Sequence, residues 1–434
     1  MSRPGSTRRA ARVAKPPPSW WRLLGAGLVT GAADDDPSGI ATYSHGGAQW
    51  GFSLAWTLLL TYPLMVVVQS ISAQIGRVTG RAIAGNLRVH YAGWLLQSTV
   101  ALLYSANTLN LGADLGAMAA ASRLLAPLVP AWSYVVLYGL LCTVGPIIFK
   151  HPRYVLFLKW LSLSLLSYVA VLAALHIHWL EVLEALFLPR LRGDAAFWTA
   201  VVAILGTTIS PYLFFWQAAQ EVEDTKVDPE REPLVKQPAQ APSALRRMQL
   251  DTLVGMGLSN IVALAILVAA GGVLHRPGIP PIETAAEAAQ ALRPIAGPYA
   301  FALFALGIVS TGLLSVPVLA ASAAYSLGEA RRWPVGLERD PLQAKAFYGA
   351  LALATFLGAA LNLFNFNPIK ALLWAAVING MVAAPIMVCL MLMAVNPRVM
   401  GAFCISRAHT ILGWVATLAM AAATLVFCVT SLRG

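Results

Sequence analysis

Three consecutive aspartates stand inside an apolar segment near the start of the chain, where a hydrophobic helix would otherwise continue. The interruption consists of Asp34, Asp35, Asp36, Pro37, Ser38 and Gly39. Pro37 removes a backbone donor and clashes with the preceding turn, and Gly39 loosens the chain further. In a membrane such a break persists only where protein or a wet cavity surrounds it. A carboxylate placed there indicates a functional site, and its natural partner is a cation.

A second proline interrupts a second apolar segment, residues 197–219. Pro211 lies in the middle of this segment, and the hydroxyl residues around it are Thr207, Thr208, Ser210 and Tyr212. The backbone carbonyls freed by such a break can hold a cation, while nearby side chains select it. For Pro211 taken alone, a simple helix kink is an equally good interpretation.

The elements that carry these residues are predicted to be transmembrane helices. The chain has 434 residues, 58% of them hydrophobic and 11% charged, and its mean hydropathy is +0.68, which excludes an ordinary soluble domain. A window of about 19 residues predicts an all-α integral membrane protein with about 11 transmembrane helices. The predicted spans lie near residues 23–43, 52–73, 93–120, 131–149, 155–175, 197–219, 252–274, 298–326, 346–363, 369–394 and 409–430.

The basic residues indicate how the chain is oriented. Lys and Arg are concentrated in the N-terminal segment and in the loops on its side of the membrane. Because basic loops stay in the cytoplasm, this distribution predicts a cytoplasmic N-terminus and an outer C-terminus in the cell (inner) membrane. The net charge of +11 is thus a topology signal, and nucleic acid is not predicted as a partner. The 4 cysteines are scattered, which indicates neither a disulfide framework nor a zinc site.

The two interrupted spans are the first and the sixth, and they occupy corresponding positions if ten spans form two halves of five. Paired interrupted helices of this kind predict an inverted-repeat transporter with its site at the bilayer midplane. The domains predicted are a cytoplasmic tail (1–22), a first repeat (23–175), a second repeat (197–394) and an additional eleventh helix (409–430).

The same two breaks carry a resemblance to the Nramp family of divalent metal ion transporters. Residues 36–51 resemble the family's Asp-Pro-Gly-Asn helix and its continuation, and residues 206–212 are similar to its sixth-helix signature. The similarity extends through residues 69–81 and 396–401. It implies the leucine-transporter-type fold, alternating access, and a divalent metal ion as the transported substrate, with no cofactor.

The departures from the family pattern concern the metal ligands. In metal-selective members the motif's Asn and a sixth-helix Met are ligands, and here those positions are Gly39 and Ser210. A thioether favours manganese- and iron-class ions, so a hydroxyl in its place removes that discrimination. The implied ligands are Asp36, the backbone near Thr207, and the hydroxyls of Ser210 and Tyr212. Such an oxygen site suits a hard cation such as Mg2+, in line with branches of the family that carry magnesium or aluminium ions.

Proton coupling is an open question in the sequence. The family's two sixth-helix histidines correspond to Tyr212 and Gln217, neither of which titrates near neutral pH. Asp114 in the third span keeps a carboxylate, which either relays a proton or packs against a hydroxyl of another helix. Without histidine, uniport driven by the membrane potential is an alternative to symport with protons.

Several other polar residues allow two interpretations each. Asp34 and Asp35 either form an electrostatic funnel for cations or hydrogen-bond the backbone freed by the break. Asn379 in the tenth span is either a transient ligand or an amide that bonds a neighbouring helix. The acidic residues within 221–224 either line an exit vestibule for cations or belong to a solvated loop.

A transporter of amino acids or other small organic solutes on the same fold is the second candidate function. The half-helix N-termini would then take a substrate carboxylate, beside which Asp36 would be badly placed. No enzymatic activity is predicted, since no Ser/His, HExxH or paired-aspartate arrangement falls on facing spans. The partners predicted are therefore divalent cations and the lipid bilayer, with protons left open.

Overall fold

The computed structural model describes residues 26–148, 169–170, 172–173, 175, 177–227, 231–275, 284–289, 297–364 and 366–433. The predicted tail (1–22) lies outside these residues, as does most of the predicted fifth span (155–175). The helices, numbered in chain order, are α1 (Ala26–Asp34), α2 (Pro37–Trp50), α3 (Ala55–Thr79), α4 (Ile83–His90), α5 (Gly93–Arg123), α6 (Ala131–Ile148), α7 (Trp179–Phe187), α8 (Ala195–Thr208), α9 (Pro211–Val227), α10 (Ala241–Leu274), α11 (Ala285–Ala289), α12 (Ala300–Arg331), α13 (Lys345–Leu361), α14 (Pro368–Ala394), α15 (Pro397–Met400) and α16 (Arg407–Arg433).

The prediction of an all-α membrane protein is confirmed: the described residues contain no strand, and eight of their helical segments, one of them formed by α8 and α9 together, are long and apolar enough to span a membrane. Each predicted span except the fifth coincides with a helix or with a broken pair of helices. The total of eleven stays a prediction, because the fifth falls largely outside the described residues. Hydropathy alone missed the short helices α4, α7, α11 and α15.

The first break lies where the aspartates and the proline predict it. Helix α1 ends at Asp34, and α2 begins at Pro37 with Asp36 as its N-cap. Asp36 has extended backbone angles (φ −68°, ψ 172°), and its carboxylate accepts a hydrogen bond from the Gly39 N–H. Proline is well suited to the first helical position, because it has no N–H to leave unpaired there. Gly39 therefore lies inside the first turn of α2 and is helical.

The second break repeats this arrangement. Helix α8 ends at Thr208, Ile209 leaves the helical region (φ −116°, ψ 53°), and α9 begins at Pro211. A mere kink in one continuous helix, which the sequence left open for this proline, is thereby excluded.

Each broken helix packs against a helix of the other predicted repeat. Helices α1 and α2 both lie along α10, the seventh predicted span, whereas α9 lies along α3, the second. This exchange of partners is what an inverted repeat requires when the first and sixth spans correspond. The long helices α5 and α12 form the other main contact of the bundle.

Glycine allows the broken helices to approach their neighbours closely. A Cβ at Gly31 of α1 would collide with the backbone of Gly255 on α10, and one at Gly206 of α8 would collide with Ala376 and Gly380 on α14. Each half of a broken helix is thus seated on a continuous helix without intervening side chains. Contacts with the neighbouring helices α10 and α14 therefore help to fix the positions of the two breaks.

Candidate cation site

The two breaks meet in the interior of the bundle. The Tyr212 hydroxyl, at the start of α9, donates a 2.7 Å hydrogen bond to the Ala33 carbonyl at the end of α1. A Cβ added to Gly39 would lie 3.3 Å from the Thr207 hydroxyl and 3.3 Å from the Asp34 carbonyl. The structure therefore brings together the residues on either side of both interruptions.

Asp36 is the central carboxylate of this region and is 2% exposed. One of its oxygens accepts from the Gly39 N–H at 2.7 Å and the other from the Asn110 side-chain amide of α5 at 3.1 Å. The Ser38 N–H and the Tyr212 hydroxyl also interact with this carboxylate. All of these partners are neutral, and a buried carboxylate without a cationic partner requires a proton or a metal ion.

The hydroxyl residues Ser210 and Tyr212 are buried at the second break. Ser210 is 1% exposed, and its hydroxyl donates to the Gly206 carbonyl at 2.6 Å. Because Ser210 and Tyr212 spend their hydrogens on backbone carbonyls, the lone pairs of both oxygens remain for a cation. Gly39 contributes its N–H to Asp36, so its place among the ligands stays a prediction.

Asn379 supplies another buried oxygen. It lies on α14, which packs against both α2 and α8, and it is 2% exposed. Its side-chain oxygen has no hydrogen-bond partner within the described residues. This oxygen is therefore available to a further partner, as are the side-chain oxygens of Asn107 and Asn110 on α5.

Asp34 and Asp35 share a donor that the sequence did not point to. The Ser259 hydroxyl of α10 lies 2.6 Å from an Asp34 oxygen and 3.2 Å from an Asp35 oxygen. Both aspartates are 1% exposed, and the second Asp34 oxygen has no partner among the described atoms. These hydrogen bonds go to a serine of α10 and not to backbone freed by the break, and a role of the two aspartates as an electrostatic funnel stays a prediction.

The residues considered for a proton path are also buried. Asp114 is fully buried and accepts a 3.3 Å hydrogen bond from Ser315 of α12, while its other oxygen has no described partner. Gln217 accepts a hydrogen bond from the Thr30 hydroxyl of α1, and its NH2 group has no described partner. Asp114 thus packs against a hydroxyl, as one of the two interpretations expected.

Chelation by several acidic or thiolate groups at once is not what the site offers. Across the described residues, no three His, Cys, Asp or Glu side chains are grouped so that they could hold one metal ion. Asp34, Asp35 and Asp114 are close enough to interact with Asp36 electrostatically, and the remaining ligands available around it are neutral hydroxyl, amide and carbonyl oxygens. Such a set suits a hard cation that keeps part of its water shell.

The acidic residues within 221–224 are not a solvated loop, and that interpretation is wrong. Helix α9 continues to Val227, past the predicted end of the sixth span, because its last turns are polar and a hydropathy window does not register them. Glu221 is fully buried and Glu223 is 3% exposed. Glu223 accepts one hydrogen bond from the backbone N–H of Leu337, in the segment after α12.

Comparison with known sequences gives a consistent result. The family model described as Nramp, natural resistance-associated macrophage protein-like, matches residues 27–430. A divalent metal cation transporter MntH of Deinococcus radiodurans is 27% identical over 91% of this chain and 86% of that protein. The MntH of Acidiphilium cryptum is 26% identical over 93% of this chain and 91% of its own length.

Comparison with solved structures concerns the fold. A crystal structure of the Eremococcus coleocola manganese transporter superimposes with a TM-score of 0.73 at 16% identity, covering 97% of this chain and 89% of that one. The structure of MhsT in complex with L-phenylalanine gives a TM-score of 0.57 at 12% identity, covering 94% and 98% of the two chains. At these identities the likeness shows a shared fold and no more.

Proposed function

The chain belongs to the Nramp family of multi-pass membrane transporters, and from that premise we propose that it imports divalent cations of the Mg2+ and Mn2+ class. It is a transporter and not an enzyme, and the metal ion is its substrate. Transport proceeds by alternating access of two repeats, residues 23–175 and 197–394, around a site at the midplane of the inner membrane. The N-terminus lies in the cytoplasm and the C-terminus outside.

The proposal depends chiefly on one observation, which is the position of Asp36 where the two breaks meet. The proposed ligands are the Asp36 carboxylate, a backbone carbonyl near Thr207, the hydroxyls of Ser210 and Tyr212, and the Asn379 side-chain oxygen. All of these atoms are oxygens and all these side chains are nearly or fully buried. Gly39 takes part through the N–H that orients Asp36.

The chemistry of these ligands supports weak discrimination against Mg2+. A thioether would favour manganese- and iron-class ions, and none is among the proposed ligands. Mg2+ prefers oxygen ligands and usually retains several waters, so one carboxylate with neutral oxygens is sufficient. We therefore expect both Mg2+ and Mn2+ to be carried.

The driving force that we propose is the membrane potential, without obligatory proton symport. Tyr212 and Gln217 occupy the positions of the family's histidines and do not titrate near neutral pH. A divalent ion moving inward gains about 4.6 kcal/mol per 100 mV, twice the value for a single charge. Uptake would then need no second ion.

Transport of an amino acid on the same fold is the competing function. A substrate carboxylate would have to approach Asp34, Asp35 and Asp36, all of which are nearly buried. Bringing a further negative charge to that region is unfavourable in a medium of low dielectric constant. The acidic first break therefore weighs against this alternative.

Uptake into proteoliposomes with a negative-inside potential tests the proposal. We expect saturable uptake of both Mg2+ and Mn2+ by the native protein and none by Asp36→Ala. Glu184→Gln is the matched control, because Glu184 belongs to an exposed ion pair with Arg190 far from the breaks. A folded native protein that moves neither ion refutes the proposal, and uptake of an amino acid instead establishes the alternative.

A further inference from the structure

A buried ion pair lies at the end of α9 that faces away from the break. Glu221 of α9 is fully buried, and one of its carboxylate oxygens lies 3.3 Å from the Arg247 guanidinium of α10. Arg77 of α3 is 3% exposed and interacts electrostatically with Glu221. Three helices thus place one carboxylate and two guanidinium groups at the predicted cytoplasmic side of the bundle.

The hydrogen bonding of this cluster is incomplete. The second Glu221 oxygen has no partner within the described residues, and neither do two of the three Arg77 nitrogens. The third Arg77 nitrogen donates to the Gln240 side chain at 2.8 Å. A buried ion pair that served stability alone would be expected to fill these positions, because each unsatisfied group there is costly. The unpaired Glu221 oxygen leaves this carboxylate able to accept another partner.

Glu221 lies further along α9 than the break beside Tyr212, whose hydroxyl interacts with Asp36. It follows Pro211 by ten residues on α9, which corresponds to about 15 Å along the helix axis. Gln217 is one turn closer to the break on the same face of α9, since residues four apart share a face. Its NH2 group is unpartnered among the described residues, while its oxygen holds Thr30 of α1. Gln217 and Glu221 therefore place two polar side chains in succession on this face, beyond the apolar Leu213 and Phe214 that follow the break.

The face of α10 that carries Arg247 also contacts the start of α1. Asp251 follows Arg247 by four residues and accepts a 2.7 Å hydrogen bond from the Gly27 N–H of α1. Through Arg247 and Asp251, α10 thus contacts both α9 and the start of α1. Closure of the predicted cytoplasmic side depends on contacts that converge on this turn of α10.

We propose that Glu221 is a second ligand for the transported cation, on its way to the cytoplasm, and that Arg247 occupies this carboxylate until the ion arrives. The assignment rests on the proposed function of cation import. The arriving ion takes the Glu221 carboxylate, and the Arg247 guanidinium turns to Asp224. That second carboxylate lies 3.8 Å from Arg247 already and is 33% exposed; it is also paired with Arg231 at 3.0 Å, so after the exchange the two arginines share it.

Two substitutions separate a ligand from a structural pair. Arg247→Gln frees Glu221 for the cation, whereas Glu221→Gln removes the carboxylate and keeps its shape. We expect the internal affinity for Mn2+, measured as inhibition of uptake by Mn2+ inside oriented proteoliposomes, to rise about tenfold in Arg247→Gln and to fall about tenfold in Glu221→Gln. Arg247→Lys keeps the positive charge beside Glu221, so the protein should fold. Its internal affinity for Mn2+ should rise less than that of Arg247→Gln.

Hydrogen exchange of α1 provides a readout that needs no transport. Both neutral variants lose the pair that helps to close this side, so exchange in residues 27–34 should increase in both, and Glu184→Gln should leave it unchanged. Internal affinities that move in the same direction in both variants, or that match the Glu184→Gln control, would overturn the ligand assignment. A native protein that imports no divalent cation would instead refute the proposed function and this ligand with it.

Discussion

Replacing Ser210 by methionine should restore preference for Mn2+ over Mg2+. The change exchanges a hydroxyl oxygen at the centre of the site for a thioether sulfur, which binds manganese-class ions and is a poor ligand for magnesium. Loss of one oxygen ligand for Mg2+ is expected to change the ratio of the two affinities by at least about tenfold, or 1.4 kcal/mol.

The structure also gives the cost of this substitution. Ser210 is 1% exposed, and its hydroxyl bonds the Gly206 carbonyl at 2.6 Å. The lost hydrogen bond costs about 1 kcal/mol and the larger side chain about 1–3 kcal/mol of unfolding free energy. Ser210→Leu carries the same two costs, because leucine and methionine have similar volumes. Leucine has no sulfur, so it is the matched control.

The assay is competition between the two ions during uptake. The inhibition constant of Mg2+ and the KM of Mn2+ are measured for the native protein and both variants, and their ratio is compared. Ser210→Met should raise the ratio at least about tenfold, and Ser210→Leu should weaken both ions without changing it. If the two variants give the same ratio, the sulfur at this position does not contact the ion, and the reasoning about Ser210 is refuted.

Three further predictions concern packing, the contact between the breaks, and coupling. Gly31→Ala should lower the free energy of unfolding by about 1–3 kcal/mol in a thermal melt, whereas Gly272→Ala, whose Cβ would meet open space, should change it little. Tyr212→Phe removes a buried hydrogen bond between the breaks and should reduce turnover about tenfold, whereas Tyr62→Phe, which loses a bond in an exposed setting, should not. Asp114→Asn should leave uptake intact and lumenal pH constant; loss of uptake together with loss of acidification would establish a proton relay.

The sequence predicted the positions of both breaks because proline and aspartate act locally. Proline favours the first position of a helix, and Pro37 and Pro211 each begin one. Pro63 and Pro317, by contrast, lie inside continuous helices, so polar neighbours are needed as well. Helix ends were less predictable where polar residues extend a helix past the apolar region. Helix α10 begins at Ala241, eleven residues before the predicted span at 252, because its first turns are polar. A hydropathy window registers the apolar part alone.

The surroundings of the aspartates could not be predicted, because they depend on contacts between distant residues. Ser259 is 225 positions from Asp34, and Asn110 is 74 positions from Asp36. The sequence shows that Asn110 is an amide inside the third predicted span, but it does not show which residue the amide bonds. Serine at position 259 has no distinguishing pattern in the sequence, since a single hydroxyl in an apolar helix is common. Only the close packing of α1 on α10 brings it to the break.

The most direct test of the central claim is a crystal structure of the native protein with Mn2+, read by the anomalous scattering of the metal. The account predicts one peak between the two breaks, in contact with the Asp36 carboxylate and near Ser210, and no such peak in Asp36→Asn. A peak that persists in Asp36→Asn, or one that lies away from both breaks, would contradict it.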